Sequence, residues 1–200
     1  KRGGIYASHL RSEGDNLLEG VQELITIAAR ANIPCEIYHL KAAGQRNWAK
    51  MDAVIAELEK ARSAGYRVSA DMYMYTRAQT ALDAAMPTWV QEGGLNQWIK
   101  RLQEPEIRAR VKKEMLSETA EWENGYMHAG PEGILLVGFK TEALKALTGK
   151  TLKQIADERG QDPADVAMDL VIEDGSRVDA VYSWMSEENL LKQLQLPWIT

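Results

Sequence analysis

The feature that most constrains this chain is a repeat. Ile5-Tyr6-Ala7-Ser8-His9-Leu10-Arg11, with Gly14 three residues beyond, is matched by Ile37-Tyr38-His39-Leu40-Lys41, with Gly44 three residues beyond. Each copy reads as a short apolar strand, then His, Leu, a cation, two residues and Gly. Between the copies, Leu17, Leu18, Val21, Leu24, Ile25, Ala28 and Ala29 recur at helical spacing, and Asn32 and Pro34 stop that helix. After the second copy comes a polar loop, Ala42 to Asn47. Met51, Val54, Ile55, Leu58 and Ala61 then mark a second amphipathic helix, closed by Gly65 at C′. Tyr66 to Met72 is a third strand. Alternating strands and helices with short connections predict parallel βαβ units. Both histidines are then expected at one carboxyl edge of a sheet, where α/β folds build their sites.

Two imidazoles on adjacent strand ends can share one metal, and neutral imidazole is a common zinc ligand. The third unit ends Asp71-Met72-Tyr73-Met74-Tyr75-Thr76, adding an acid and two phenols to the same edge. Asp71 either orients a ligand or metal-bound water, or bonds backbone groups beyond the strand. Arg11 and Lys41 either serve the site or neutralise nearby acids. Cys35 is expected in the core, and His128 lies in a glycine-rich loop apart from the repeat.

The segments divide as 1–75, three βα units; 76–132, a helical insertion or lid; and 133–200, a strand and helices leading to a further strand. Ser12-Glu13-Gly14-Asp15 has the form of a capping box, with the hydroxyl at N-cap and an acid three residues on. No strand is predicted between Thr76 and Asn124. Leu95, Trp98, Ile99 and Leu102 share a helix face, and Glu106 to Ser117 is a helix opened by Pro105. Trp89, Trp98 and Trp122 are expected in the core of this insertion or as a lid. Arg108, Arg110, Lys112 and Lys113 read as a solvated helix face. Then follow a strand from Ile134 to Phe139 and a helix from Thr151 to Arg159, stopped by Gly160. The next helix is capped by Asp162, with Pro163 at N1, and ends at Gly175. A strand from Val178 to Ser183, a helix capped by Ser186 and the start of a strand at Trp198 complete the pattern.

Composition narrows the function classes. The chain has 200 residues, 45% of them hydrophobic and 26% charged, as a packed globular fold requires. A net charge of -5 and a pI near 5.4 argue against nucleic acid as a partner. No apolar run is long enough to span a bilayer, so no membrane partner is expected. No signal peptide is expected. The single Cys35 suits a reducing compartment, hence a cytoplasmic expectation. The opening Lys1-Arg2-Gly3-Gly4 without Met, and the close on Leu196-Pro197-Trp198-Ile199-Thr200, read as an interior segment of a longer chain.

The three motifs, Tyr6-Ala7-Ser8-His9-Leu10-Arg11-Ser12-Glu13-Gly14, Ile37-Tyr38-His39-Leu40-Lys41 and Ala70-Asp71-Met72-Tyr73-Met74-Tyr75-Thr76, resemble the N-acyl-D-amino-acid deacylases (D-aminoacylases) of the amidohydrolase superfamily. The resemblance implies part of a distorted TIM-like (β/α)8 barrel, strands five to seven, with a small β domain beside it. It implies His9 and His39 as metal ligands, Lys41 and Tyr73 as substrate contacts, and Asp71 as a strand-seven acid; Arg11, from the repeat pattern, and Asp71 are the candidate supporting residues. The implied cofactor is zinc, one or two ions. The implied reaction is hydrolysis of an N-acyl amino acid, a small-molecule substrate, to a carboxylate and a free amino acid. Its proton-transfer acid, an Asp on strand eight, is expected just beyond Thr200. Met74 stands where the family has Pro, and Arg77, Ala78 and Gln79 replace small residues in a loop that lines the pocket. Rival readings are a cyclic-amide hydrolase resembling dihydroorotases and hydantoinases, and a non-catalytic barrel fragment.

Overall fold

The structure is a computed structural model that describes residues 3–118 and 122–200. The chain begins with β1 (Tyr6–Ser8), α1 (Leu17–Ala31), β2 (Cys35–Ile37), α2 (Lys50–Ser63) and β3 (Val68–Ala70). It continues through β4 (Arg77–Ala81), α3 (Leu95–Leu102), α4 (Pro105–Met115), α5 (Gly125–Ala129), β5 (Ile134–Gly138), α6 (Leu152–Arg159), α7 (Pro163–Asp174) and β6 (Asp179–Ser183), and closes with α8 (Glu187–Gln193). These elements form two compact units. One comprises Lys1–Thr76 with Met185–Thr200, the other Arg77–Trp184. The expected segment 76–132 and most of 133–200 thus belong to one unit, inserted in the connection that follows β3, while residues 185–200 belong with the first unit.

In the first unit β1, β2 and β3 pair in parallel, in that order, with Ser8 opposite Ile37 and Ile37 opposite Ala70. A parallel pair needs a crossover, and α1 and α2 supply it by burying one face each. Leu17, Val21, Leu24 and Ala28 of α1 pack with Met51, Val54 and Leu58 of α2 against Cys35, Ile37, Val68 and Ala70 of the strands. Cys35 is fully buried, as expected. Gly65, at φ +90°, turns the chain out of α2 in a conformation that a side chain would strain. Where the sequence predicts the start of a strand at 198–200, the structure has a single parallel bridge beside β3, with Ala70 opposite Ile199. Ala70 N–H donates to the Trp198 carbonyl (3.3 Å) and Thr200 N–H donates to the Ala70 carbonyl (3.0 Å). The third crossover helix is α8, whose Asn189 amide donates to the Trp48 carbonyl (2.9 Å).

The second unit holds an antiparallel sheet, order β4-β6-β5. β4 corrects the expectation that 76–124 contains no strand. Arg-Ala-Gln-Thr-Ala has weak strand propensity, and what makes it a strand is pairing with β6, in which Ala78 faces Tyr182. Trp98 is buried in this unit, with Leu82, Met86, Leu102, Val111 and Met115. The helix ends follow local rules: Thr151 and Gln154 form a capping box on α6, Asp162 caps α7 ahead of Pro163, and Gly160 and Gly175 close them in left-handed geometry. The basic face of α4 is not simply solvated. Arg108 reaches Asp169 (2.7 Å) and Lys112 reaches Asp165 (2.7 Å), so half of it docks on α7. His128 stands in the short helix α5, not in a loop. The capping box expected at Ser12 is also displaced: α1 starts at Leu17 with Asn16 as N-cap, while the Ser12 hydroxyl accepts from Gly14 and Asn16 N–H ahead of it.

The last residue of α7, Asp174, is 2% exposed and serves as a polar anchor. Its carboxylate accepts from the backbone N–H of Thr141 (2.8 Å) and Lys140 (3.1 Å) and from the Ser176 hydroxyl. Burial pushes its pKa up, but these three donors outweigh burial and hold it below the usual Asp value. A depressed carboxyl stabilises the fold above its unfolded value of about 4, and that stabilisation fades as pH falls further. Asp174→Ala leaves two part-buried N–H groups without this acceptor and is expected to lower unfolding free energy by about 1–3 kcal/mol at pH 7. Urea titrations from pH 7 down to 2 check this. The difference between variant and parent should narrow below about pH 4, and a constant difference would refute the assignment.

Candidate functional site

The carboxyl edge of the parallel sheet gathers most of the expected residues. His9 follows β1 directly, whereas His39 stands two residues past Ile37, so the histidines are offset by one position in the strand register. In a regular pleat that offset would send the rings to opposite faces. The backbone of His39 adopts φ +43°, a left-handed turn that histidine tolerates better than most residues. The turn brings the imidazoles together, ring centres 4.2 Å apart. Asp71, just past β3, holds it: its Oδ1 accepts the His39 backbone N–H at 2.7 Å, and its carbonyl accepts from Leu40 (2.9 Å). Asp71 therefore bonds backbone groups beyond the strand end, one of the two readings open from sequence.

Glu13, in the loop after β1, is the residue that sequence reasoning missed as a site group. Its Oε1 lies 2.7 Å from Lys41 Nζ, 3.0 Å from His39 Nδ1 and 4.0 Å from His9 Nδ1. Lys41 Nζ is also 2.5 Å from His39 Nδ1. The Lys41 side chain is 5% exposed, so its ammonium is stripped of most water and rests on the Glu13 carboxylate. An acid four residues after His9, facing a cation two residues after His39, was the available signal. The loops are also tied by their backbones, Ala43 N–H donating to the Glu13 carbonyl at 2.7 Å.

Tyr73 belongs to the cluster, with its ring centre 6.2 Å from that of His39 and 5.6 Å from the Lys41 ammonium. Tyr38, not singled out from sequence, packs its half-exposed ring on both histidines, at 5.2 and 4.3 Å. Arg11 does not join them. It is largely exposed and makes two hydrogen bonds to Glu23 on α1 (2.7 and 2.6 Å).

The electrostatics suit a cation-binding site. Partial desolvation, then His39 and Lys41, hold the His9 imidazole below its ordinary pKa against the pull of Glu13. Its lone pair is free at neutral pH, as a metal ligand requires. Burial pushes the Glu13 carboxyl up, but the hydrogen bond from His39 and the Lys41 charge outweigh it, and the group stays ionised. Burial, then Glu13 and Tyr38, raise the Tyr73 phenol well above its ordinary value, so it remains a proton donor. His9, Glu13 and His39 each offer one ligand atom, and these atoms lie within 4.8 Å of one another. The two imidazoles are donors that zinc accepts, and the carboxylate oxygen can serve either as a further ligand or as the acceptor for a ligand ring's N–H.

No family model matches the chain. It is 35% identical over 81 residues to N-acyl-D-glutamate deacylase of Alcaligenes xylosoxydans xylosoxydans, covering 40% of this chain and 17% of the relative. It is 35% identical over 80 residues to D-aminoacylase of the same organism, covering 40% of this chain and 16% of that relative. Among solved structures, N-acyl-D-glutamate deacylase from Bordetella bronchiseptica, complexed with zinc and a phosphonate inhibitor, aligns over 100% of this chain and 32% of its own, with TM-score 0.68 and 22% identity. D-aminoacylase, described as defining a novel subset of amidohydrolases, aligns over 99% of this chain and 31% of its own, with TM-score 0.66 and 24% identity. The chain thus spans under a fifth of the relatives' length and about a third of the structural neighbours'. The relatives matched in sequence are deacylases of the kind that the motifs resemble, and the solved structures share the fold. No helix of the described residues is long and apolar enough to cross a membrane.

The hydrogen bond from His39 N–H to Asp71 tests how the turn is held. Asp71→Ala is expected to destabilise the fold by about 1–3 kcal/mol in urea unfolding. Asp71→Asn, whose amide oxygen can accept the same N–H, should recover part of that loss. Equal stability of all three forms would show that the turn does not depend on this bond.

Proposed function

We propose, for a chain related to the N-acyl-D-amino-acid deacylases, that it forms part of a zinc-dependent amidohydrolase cleaving the amide bond of N-acyl-D-amino acids. The observation that carries this is the convergence of the His9 and His39 imidazoles, ring centres 4.2 Å apart, beside a buried Lys41 paired with Glu13 at the carboxyl edge of a parallel sheet. The likeness to deacylases supports the reaction class. The barrel belongs to the proposal as well. β1, β2, β3 and the 198–200 segment are read as four successive strands of a (β/α)8 barrel, with Arg77–Trp184 as an insertion.

His9 and His39 would hold the metal. When bound, zinc polarises a carbonyl and lowers the pKa of its water. Lys41 offers a fixed ammonium for a carboxylate, the group that every N-acyl amino acid carries. Because Lys41 is already buried and oriented by Glu13, little side-chain freedom is lost when it meets that anion. Tyr73 keeps its proton and can donate a hydrogen bond to oxygen that gains charge as the amide carbon becomes tetrahedral.

The full-length protein is assayed for zinc content and for hydrolysis of N-acyl-D-, N-acyl-L- and cyclic amide substrates. His39→Ala is expected to lose zinc and to lower kcat/KM by more than about a hundredfold, since even outer partners of metal ligands are worth 10–100-fold. Unchanged zinc occupancy and activity in that variant would remove His39 from the ligand set. Turnover of cyclic amides alone would move the protein to the hydantoinase-like class.

A further inference from the structure

Glu13 has no role among the ligand and substrate groups that the motifs suggest, yet it is the atom centre on which they meet. Its Oε1 contacts Lys41 Nζ (2.7 Å) and His39 Nδ1 (3.0 Å), and both partner side chains are at least 85% buried, at 5% and 15% exposure. We propose that Glu13 is a positioning residue that acts on the metal side and the substrate side at once, by binding His39 Nδ1 and the Lys41 ammonium with a single carboxylate. The inference rests on the metal-dependent reading above and assigns Glu13 a place outside the ligand shell.

Charge and hydrogen-bond chemistry carry the argument. An ammonium lies 2.5 Å from His39 Nδ1 and 2.7 Å from the Glu13 oxygen, so the space between those two atoms already holds a positive charge. A dication there would meet strong repulsion at low dielectric. The ring nitrogen left for a metal is therefore Nε2. An imidazole that ligates through Nε2 carries its proton on Nδ1 and needs an acceptor there. An ammonium has donors alone and cannot take the Nδ1 proton, so in this tautomer the 2.5 Å contact between Lys41 Nζ and Nδ1 opens and both groups turn their protons to Glu13. Glu13 is the neighbour that can take both protons, one from Nδ1 and one from Nζ. It fixes the tautomer of His39, and the same contact aims Lys41.

A metal ligand's outer partner is worth about 10–100-fold in metal affinity. Zinc affinity is measured by competition with a chromophoric chelator on the full-length protein, and KM and kcat on an N-acyl-D-amino acid, for the parent, Glu13→Gln, Glu13→Asp and Lys41→Met. Glu13→Gln is expected to weaken zinc binding by about 10–100-fold and to raise KM. Glu13→Asp, which keeps the charge, should recover part of both. Lys41→Met should raise KM while zinc affinity stays within about threefold of the parent, a factor worth under 1 kcal/mol. Zinc affinity of Glu13→Gln within that same threefold overturns the inference and leaves the deacylase reading intact. A parent that binds no zinc and cleaves no amide overturns the deacylase reading itself. Should Glu13→Gln fail to fold, Glu13→Asp decides alone: parent-like zinc affinity and KM overturn the inference, and reduced affinity with raised KM upholds it.

Discussion

The site depends first on the parallel register of three very short strands. Ser8, Ile37 and Ala70 lie side by side, and whatever follows them in sequence emerges at one edge. Three-residue strands hold few ladder bonds, so their alignment is set by the helices packed behind them. Leu17, Val21 and Leu24 of α1, and Met51, Val54 and Leu58 of α2, are almost wholly buried against the sheet. A slip by one position would expose Cys35, Ile37, Val68 and Ala70 and bury Glu36 and Ser69. The hydrophobic pattern of the repeat is therefore what aims the polar edge.

At that edge, burial of charge sets the geometry. Lys41 has almost no contact with water, and an isolated ammonium there would be strongly disfavoured. Glu13 offsets that penalty, and its own ionisation is kept by the cation and by His39. The mutual dependence explains why the loops after β1 and β2 are also joined by a backbone hydrogen bond from Ala43 to Glu13. The left-handed turn at His39 belongs to the same economy of contacts, since Asp71 on the third unit satisfies the N–H that the turn exposes. Each of the three βα units thus contributes a group that another unit needs.

Much of this was legible in the sequence, unevenly and for identifiable reasons. The paired His-Leu-cation motifs at one βαβ period predicted His9, His39 and Lys41 on a shared edge, and the structure brings these side chains together. Tyr73 and Asp71 follow because β3 is the next strand in order. Arg11 sits in the motif position that corresponds to Lys41 yet pairs with Glu23, because the offset between the two histidines leaves the two cations in different surroundings. Glu13 went unseen as a site residue because Ser12-Glu13-Gly14-Asp15 also reads as a helix start, a local pattern that explains it without a site.

What the sequence by itself determined is local. Helix α6 begins at Thr151 with its box to Gln154, α7 runs from Asp162 and Pro163 to Gly175, α8 begins at Ser186, and α1 and α2 carry apolar faces. These features rest on residues within one or two helical turns of each other, so spacing along the chain encodes them. Tertiary structure alone decided the rest. β4 exists because β6, about a hundred residues away, pairs with it. The basic face of α4 is half docked because α7 presents Asp165 and Asp169. The carboxylate of Glu13 becomes the centre of the site because two loops close over it. Long polar side chains choose partners by distance and desolvation in three dimensions, and neither quantity is written in sequence separation.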